Sequence, residues 1–108
     1  MSKEVVIFIT AGSQAEAEKI ARRLVEEKLA ACVNIVPGTV SVFSWEGKVN
    51  QENEVLLIVK SVAAQLNAVI NRVKQLHSYQ VPEIIALPII GGAPDYLKWL
   101  REEISAGD

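Results

Sequence analysis

The 108-residue sequence holds one cysteine and one histidine, carries no excess of positive charge and contains no long apolar run. Each shortage removes a class of function. A lone Cys32 excludes a disulfide within the chain and any Cys-x-x-Cys metal or redox pair, and fits a reducing compartment. Eleven Lys and Arg against thirteen Asp and Glu, interspersed, leave a formal net charge of −2. No basic stripe is available for a phosphate backbone, so nucleic acid is not an expected partner. Half of the residues are hydrophobic, yet none of the runs approaches the roughly 18 apolar residues of a membrane helix. Met1-Ser2-Lys3-Glu4 leads straight into a strand-like segment, so a cytoplasmic protein with no membrane partner is expected. The chain has no phosphate-cradling glycine loop, no His-Glu-x-x-His, and no nucleophile beside an obvious base. The first turn also lacks the arginine that a small acyl-phosphate hydrolase would need, so no catalytic residue is assigned and the protein is read as a non-enzyme.

What the sequence does contain is a clear succession of strands and helices within one domain spanning 1–108. Val5-Val6-Ile7-Phe8-Ile9 is a β-branched apolar run without alternation, as in a strand buried on both faces. Ser13 followed by Glu16 forms a capping-box signature, and Ala17, Ile20, Ala21, Leu24 and Val25 repeat on one face of a helix ending near Lys28. From Ala31 to Trp45 the β pattern returns, broken by Pro37-Gly38, which predicts a bulge, with Val40 and Val42 facing one way and Phe43 and Trp45 the other. Glu46-Gly47 predicts a hairpin turn, and Val49–Val62 the second arm. Leu66, Val69, Ile70, Val73 and Leu76 form the stripe of a helix from about Val62 to His77. Ile84 to Ile90 reads as the last strand, ended by Gly91-Gly92. Pro94 then opens a C-terminal helix with Tyr96, Leu97, Leu100 and Ile104 on its buried side.

The order β-α-β-β-α-β with a trailing helix predicts an α+β, ferredoxin-like sandwich with two helices on one face of a four-stranded antiparallel sheet. An antiparallel sheet wetted on its other face would alternate apolar and polar residues, whereas three of these strands are apolar on both sides. Burying even ~400 Å² of such a surface at about 25 cal/mol per Å² contributes on the order of 10 kcal/mol, comparable with the stability of a small domain. A second copy of the chain is the simplest cover. The long hairpin formed by the second and third strands points the same way. A dozen residues span ~40 Å against an expected radius of gyration of ~13 Å, so the arms must overhang the core and leave strand edges to be paired.

Leu24 to Ile35, Pro37-Gly38, Ser41, Trp45-Glu46-Gly47-Lys48, Glu54, Lys60, His77 to Ile84 and Tyr96-Leu97-x-Trp99 together resemble the CutA divalent-ion tolerance family from the first strand to the last helix. The resemblance implies a homotrimer whose hairpins pair between subunits, an architecture similar to the PII signalling proteins, a cytoplasmic location, and a role in tolerance of divalent metals, copper especially. The chain departs from the usual pattern at Ala11-Gly12-Ser13, at Ser78 and at Phe43-Ser44-Trp45. The copper site of some members resembles a strand cysteine with adjacent histidines; those positions hold Ile9, Leu76 and His77 here.

His77, the only histidine, has two readings: a ligand for Cu²⁺ or another divalent cation with Glu83 as the nearest carboxylate, or a group that hydrogen-bonds carbonyls at a helix end. Cys32 reads as a small buried hydrophobe. Lys60 either faces an anionic ligand or pairs with Glu54 or Glu83. Trp45, Tyr79, Tyr96 and Trp99 line a cleft between subunits or serve packing alone. An RNA-recognition module shares the order of elements, but Glu54 to Lys60 lacks its aromatic and basic third strand. The expectation is a non-enzymatic trimer in metal-ion homeostasis or small-ligand sensing, with a trimeric scaffold for a protein partner as the alternative.

Overall fold

A computed structural model describes residues 3–104. Met1 and Ser2, read above as the lead into the first strand, lie outside the described residues. The first apolar run forms β1 (Glu4–Ala11). Helix α1 (Gln14–Glu26) begins where Ser13 Oγ accepts the Glu16 N–H at 3.2 Å. The Glu16 carboxylate reaches one residue further back than a capping box requires and accepts the Gly12 N–H at 3.3 Å.

Strands β2 (Cys32–Trp45) and β3 (Lys48–Val62) form the hairpin. Its loop is Glu46-Gly47, with φ of 51° and 76°. Two successive positive φ values give a turn whose twist matches the strands it joins. Pro37 and Gly38 stand opposite Val55 alone, since Val36 pairs with Leu56 and Thr39 with Glu54. This is the expected bulge, and Gly38 has φ 79°.

The second helix starts later than the stripe predicts. Val62 still pairs with Glu4 in the sheet, Ala63–Gln65 form a 3₁₀ turn, and α2 runs Leu66–Leu76 with His77 as its cap. Strand β4 (Ile84–Pro88) is likewise shorter than the apolar run, because Pro88 stands opposite Val5, near the start of β1. Helix α3 spans Pro94–Glu102, with Pro94 in its first turn. Leu100 and Ile104 are buried as expected, whereas Tyr96 is 44% exposed.

The four strands form one antiparallel sheet in the order β2-β3-β1-β4. Val5, Ile7, Ile9, Leu57 and Val59 face α1 and α2, whose Ala17, Ile20, Leu24, Val69 and Val73 complete the core. The Arg72 guanidinium ties the helices together by contacting the Glu27 carboxylate through Nε at 3.0 Å and Nη2 at 2.9 Å. By alternation, Val6, Phe8, Leu56, Ile58, Ile85 and Leu87 occupy the opposite face. Helix α3 packs at one end of that face, with Leu100 and Ile104 against Val62, Ala31 and Ile89. Its centre lies open, with Ile85 54% and Leu87 51% exposed. The overhanging hairpin stretches the chain to 43 × 26 × 22 Å. Among the described residues no helix is long and apolar enough to cross a membrane.

Candidate functional site

Where β1 ends at Ala11, opposite Val55, the hairpin continues alone. Residues 77–83 cross that end of the sheet on the way from α2 to β4. A polar network fixes the crossing. His77 Nε2 lies 2.7 Å from the Thr10 carbonyl, and Nδ1 accepts the Tyr79 N–H at 3.0 Å. These partners define a neutral ring with its proton on Nε2. The Glu16 carboxylate accepts the Ser78 N–H at 2.5 Å and the Ser78 hydroxyl at 3.1 Å. The His77 and Tyr79 rings meet at 4.7 Å.

This network aims the Tyr79 phenol at Glu54, donating to Oε2 at 2.8 Å. Gly12 leaves room for it, since a Cβ there would stand 3.1 Å from the phenol oxygen. Burial, followed by the hydrogen bond and charge of Glu54 and the charges of Glu16 and Glu52, pushes the Tyr79 hydroxyl up to about 12. Glu54 alone bonds the phenol, and the charges of Glu16 and Glu52 act on it from further away.

Hollows open on both sides of the Tyr79–Glu54 pair. One, of about 480 Å³, is lined by Phe43, Trp45, Asn50, Glu52, Glu54, Tyr79, Gln80 and Val81. The other, of about 370 Å³, adds Thr10, Ser41, Val42 and Glu83. The bulge decides which β2 residues arrive here. Before it, Asn34 and Val36 stand opposite Ile58 and Leu56; after it, Thr39, Ser41 and Phe43 stand opposite Glu54, Glu52 and Asn50. The extra residue thus transfers Phe43 and Trp45 to the face that carries Glu52 and Glu54.

Of the residues singled out in the sequence, Trp45, Tyr79 and Glu83 come to this end of the sheet, with His77 behind them. Lys60, Tyr96 and Trp99 lie at the opposite end. Lys60 Nζ bonds Asn34 Oδ1 rather than Glu54 or Glu83. Tyr96 and Trp99 pack together at 5.5 Å on α3, and Tyr96 lies near the half-buried Cys32. The imidazole of His77 bonds a carbonyl of β1, not the last carbonyls of its own helix. As members of this site, Glu16, Phe43, Glu52 and Gly12 escaped the sequence reading; the bulge held the signal for Phe43 and Glu52, because it fixes their common face.

Residues 5–103 match the family model of the CutA1 divalent ion tolerance protein. The chain is 52% identical over 99 residues to the divalent-cation tolerance protein CutA of Thermus thermophilus, covering 92% of this chain and 96% of that one. It is 48% identical over 97 residues to the chloroplastic protein CutA of Arabidopsis thaliana, covering 90% of this chain and 53% of that longer protein. The crystal structure of CutA1 from Oryza sativa superimposes with a TM-score of 0.94 at 45% identity, covering 96% of this chain and 95% of that one.

Proposed function

The chain belongs to the CutA1 divalent ion tolerance protein family, and on that premise we propose that it is a non-enzymatic, PII-like homotrimer that serves divalent metal-ion tolerance, copper included, in the cytoplasm. The observation that carries this reading is the buried Glu54 carboxylate held by Tyr79 between two hollows at the root of the hairpin. Trimerisation would bring the α3 end of one subunit, with Lys60, Tyr96 and Trp99, toward the hairpin end of the next and complete a shared cleft.

A resident copper ion does not fit these side chains. Both nitrogens of His77 are engaged, and among the described residues no group of three His, Cys, Asp or Glu side chains is placed to hold a metal. The metal is accordingly assigned as a transient ligand of Glu54 and Glu83, the carboxylates of the smaller hollow. Calorimetric titration of the full chain with Cu²⁺ tests this. Binding should weaken about tenfold in Glu83→Gln, the loss of ~1.4 kcal/mol from one ligand, and persist in His77→Gln, which keeps a donor for the Thr10 carbonyl. Dependence on His77 alone would overturn the assignment.

A second reading has its own support. The outer edge of β2 is unpaired, and beside it Ala21, Val25, Val33 and Ile35, with Glu18, Arg22 and Glu26 among them, line a groove against α1 suited to an added strand from a protein partner. Absence of Cu²⁺ binding in the wild type would favour that scaffold role.

A further inference from the structure

Glu54 is 9% exposed, and what the chain brings to it is a neutral phenol. A buried carboxylate is ordinarily matched by a cation or by several N–H donors. Here Tyr79 serves Oε2, while Oε1 has no donor among the described residues and is not sealed from solvent, and Glu54 lines the hollow. Four of the eleven lysines and arginines have partners elsewhere, Arg72 with Glu27, Lys98 with Glu102, Arg101 with Glu4 and Lys60 with Asn34, and Lys48, which stands opposite Trp45 on the same face, makes no ion pair with Glu52 or Glu54. Among the described residues none of the lysines or arginines pairs with Glu52, which lines the same 480 Å³ hollow. Within one subunit, and among the described residues, the two carboxylates of this hollow therefore have no ion-pair partner.

The other walls are aromatic. Phe43 and Trp45, placed on this face by the bulge, stand with Tyr79 around the two carboxylates. A cation lowers its energy over an aromatic face, and a planar or compact group rich in N–H also supplies donors to carboxylate oxygens. A bare metal ion would leave the rings unused, and a quaternary ammonium would leave Oε1 without a donor. The volume suits a small molecule. We propose that this hollow binds a small organic cation bearing N–H donors, a guanidinium or primary ammonium, through Glu54 Oε1 and the Glu52 carboxylate, with Phe43 and Trp45 against its face. The inference rests on the reading of this region as a ligand site and names a ligand class for it.

The test uses the full chain carrying Trp99→Phe, which leaves Trp45 as the only indole. Titration with agmatine, which carries both cationic groups, should give a saturable change in Trp45 emission. The affinity should fall about tenfold or more in Glu52→Gln and in Glu54→Gln, each of which removes a charge-assisted bond. Glu54→Gln retains an acceptor for Tyr79, and circular dichroism would verify that both variants stay folded. Tetramethylammonium, charged but without donors, should bind far more weakly. Equal response to tetramethylammonium, or unchanged affinity in both variants, overturns the proposal. Silence toward agmatine while Cu²⁺ still titrates with its Glu83 dependence overturns this inference alone. Silence toward both probes removes the hollow as a ligand site altogether.

Discussion

Glu16 connects three segments that are far apart in sequence: the turn after β1, the first turn of α1 and the loop after α2. Burial opposes its ionisation, but the Ser78 N–H and hydroxyl and the Gly12 N–H together outweigh that and hold the carboxyl below its ordinary value of 4.5. A carboxyl with a lowered folded-state value contributes stability above its unfolded value and loses it as the pH falls through the folded one. Glu16→Ala should therefore cost about 1–3 kcal/mol near neutrality, the range for bonds to a charged acceptor. The gap between variant and wild type in denaturant unfolding should close below about pH 4.5, as the carboxyl protonates in both states. Little of this was legible in the sequence. Ser13 and Glu16 advertised a cap because the motif is local, whereas the bonds from Ser78 to Glu16 and from His77 to Thr10 join residues more than sixty positions apart. Nothing in their neighbourhoods encodes that meeting. The same is true of Lys60 and Asn34, which meet only through the register of β2 on β3.

Elements were more legible than residues, because turn chemistry and periodicity act over a few positions. Glu46-Gly47 and Pro37-Gly38 were readable for that reason, and so were the stripes of α1 and α2, except that Val25, expected on the α1 stripe, lies at its margin and is exposed. The boundaries that moved did so under tertiary control: Val62 is held in the ladder by Glu4, and Pro88 ends β4 where β1 begins. The bulge has the largest consequence, since it determines whether Phe43 and Trp45 or Val40 and Val42 share a face with Glu52 and Glu54. Gly38 sits at φ 79°, and a Cβ added there would meet nothing within 4 Å, so substitution brings backbone strain and no clash. Gly38→Ala should destabilise the chain by about 1–2 kcal/mol in denaturant unfolding, the cost of a side chain in left-handed backbone. Deleting Gly38 should instead return β2 to its former alternation and turn Phe43 and Trp45 away from the carboxylates.

At the scale of the whole molecule, the sheet has two apolar faces and helices enough for one. Val6, Phe8, Leu56, Ile58, Ile85 and Leu87 hold the second face, and α3 covers only its Val62 end. Contiguous apolar surface of more than a few hundred Å² is rarely left in water by a monomer, and a stable interface of about 800 Å² per partner is within reach of this face and the hairpin together. Phe8 and Ile85 are paired across β1 and β4 at its centre, so Ile85→Glu would set a carboxylate against apolar neighbours with no cation to meet it. Sedimentation equilibrium should give three times the chain mass for the wild type and dissociation to monomer at micromolar concentration for Ile85→Glu. Val25→Glu, an equally abrupt change on the outer side of α1 where Val25 is 42% exposed, should leave the assembly intact. In the proposed shared cleft the residues come from both ends of the sheet, so the dissociated Ile85→Glu chain should retain the Trp45 hollow while separating it from the Lys60 end of a neighbour. Cation binding that survives dissociation would then locate the ligand within one subunit, and binding that vanishes with it would locate the ligand between two.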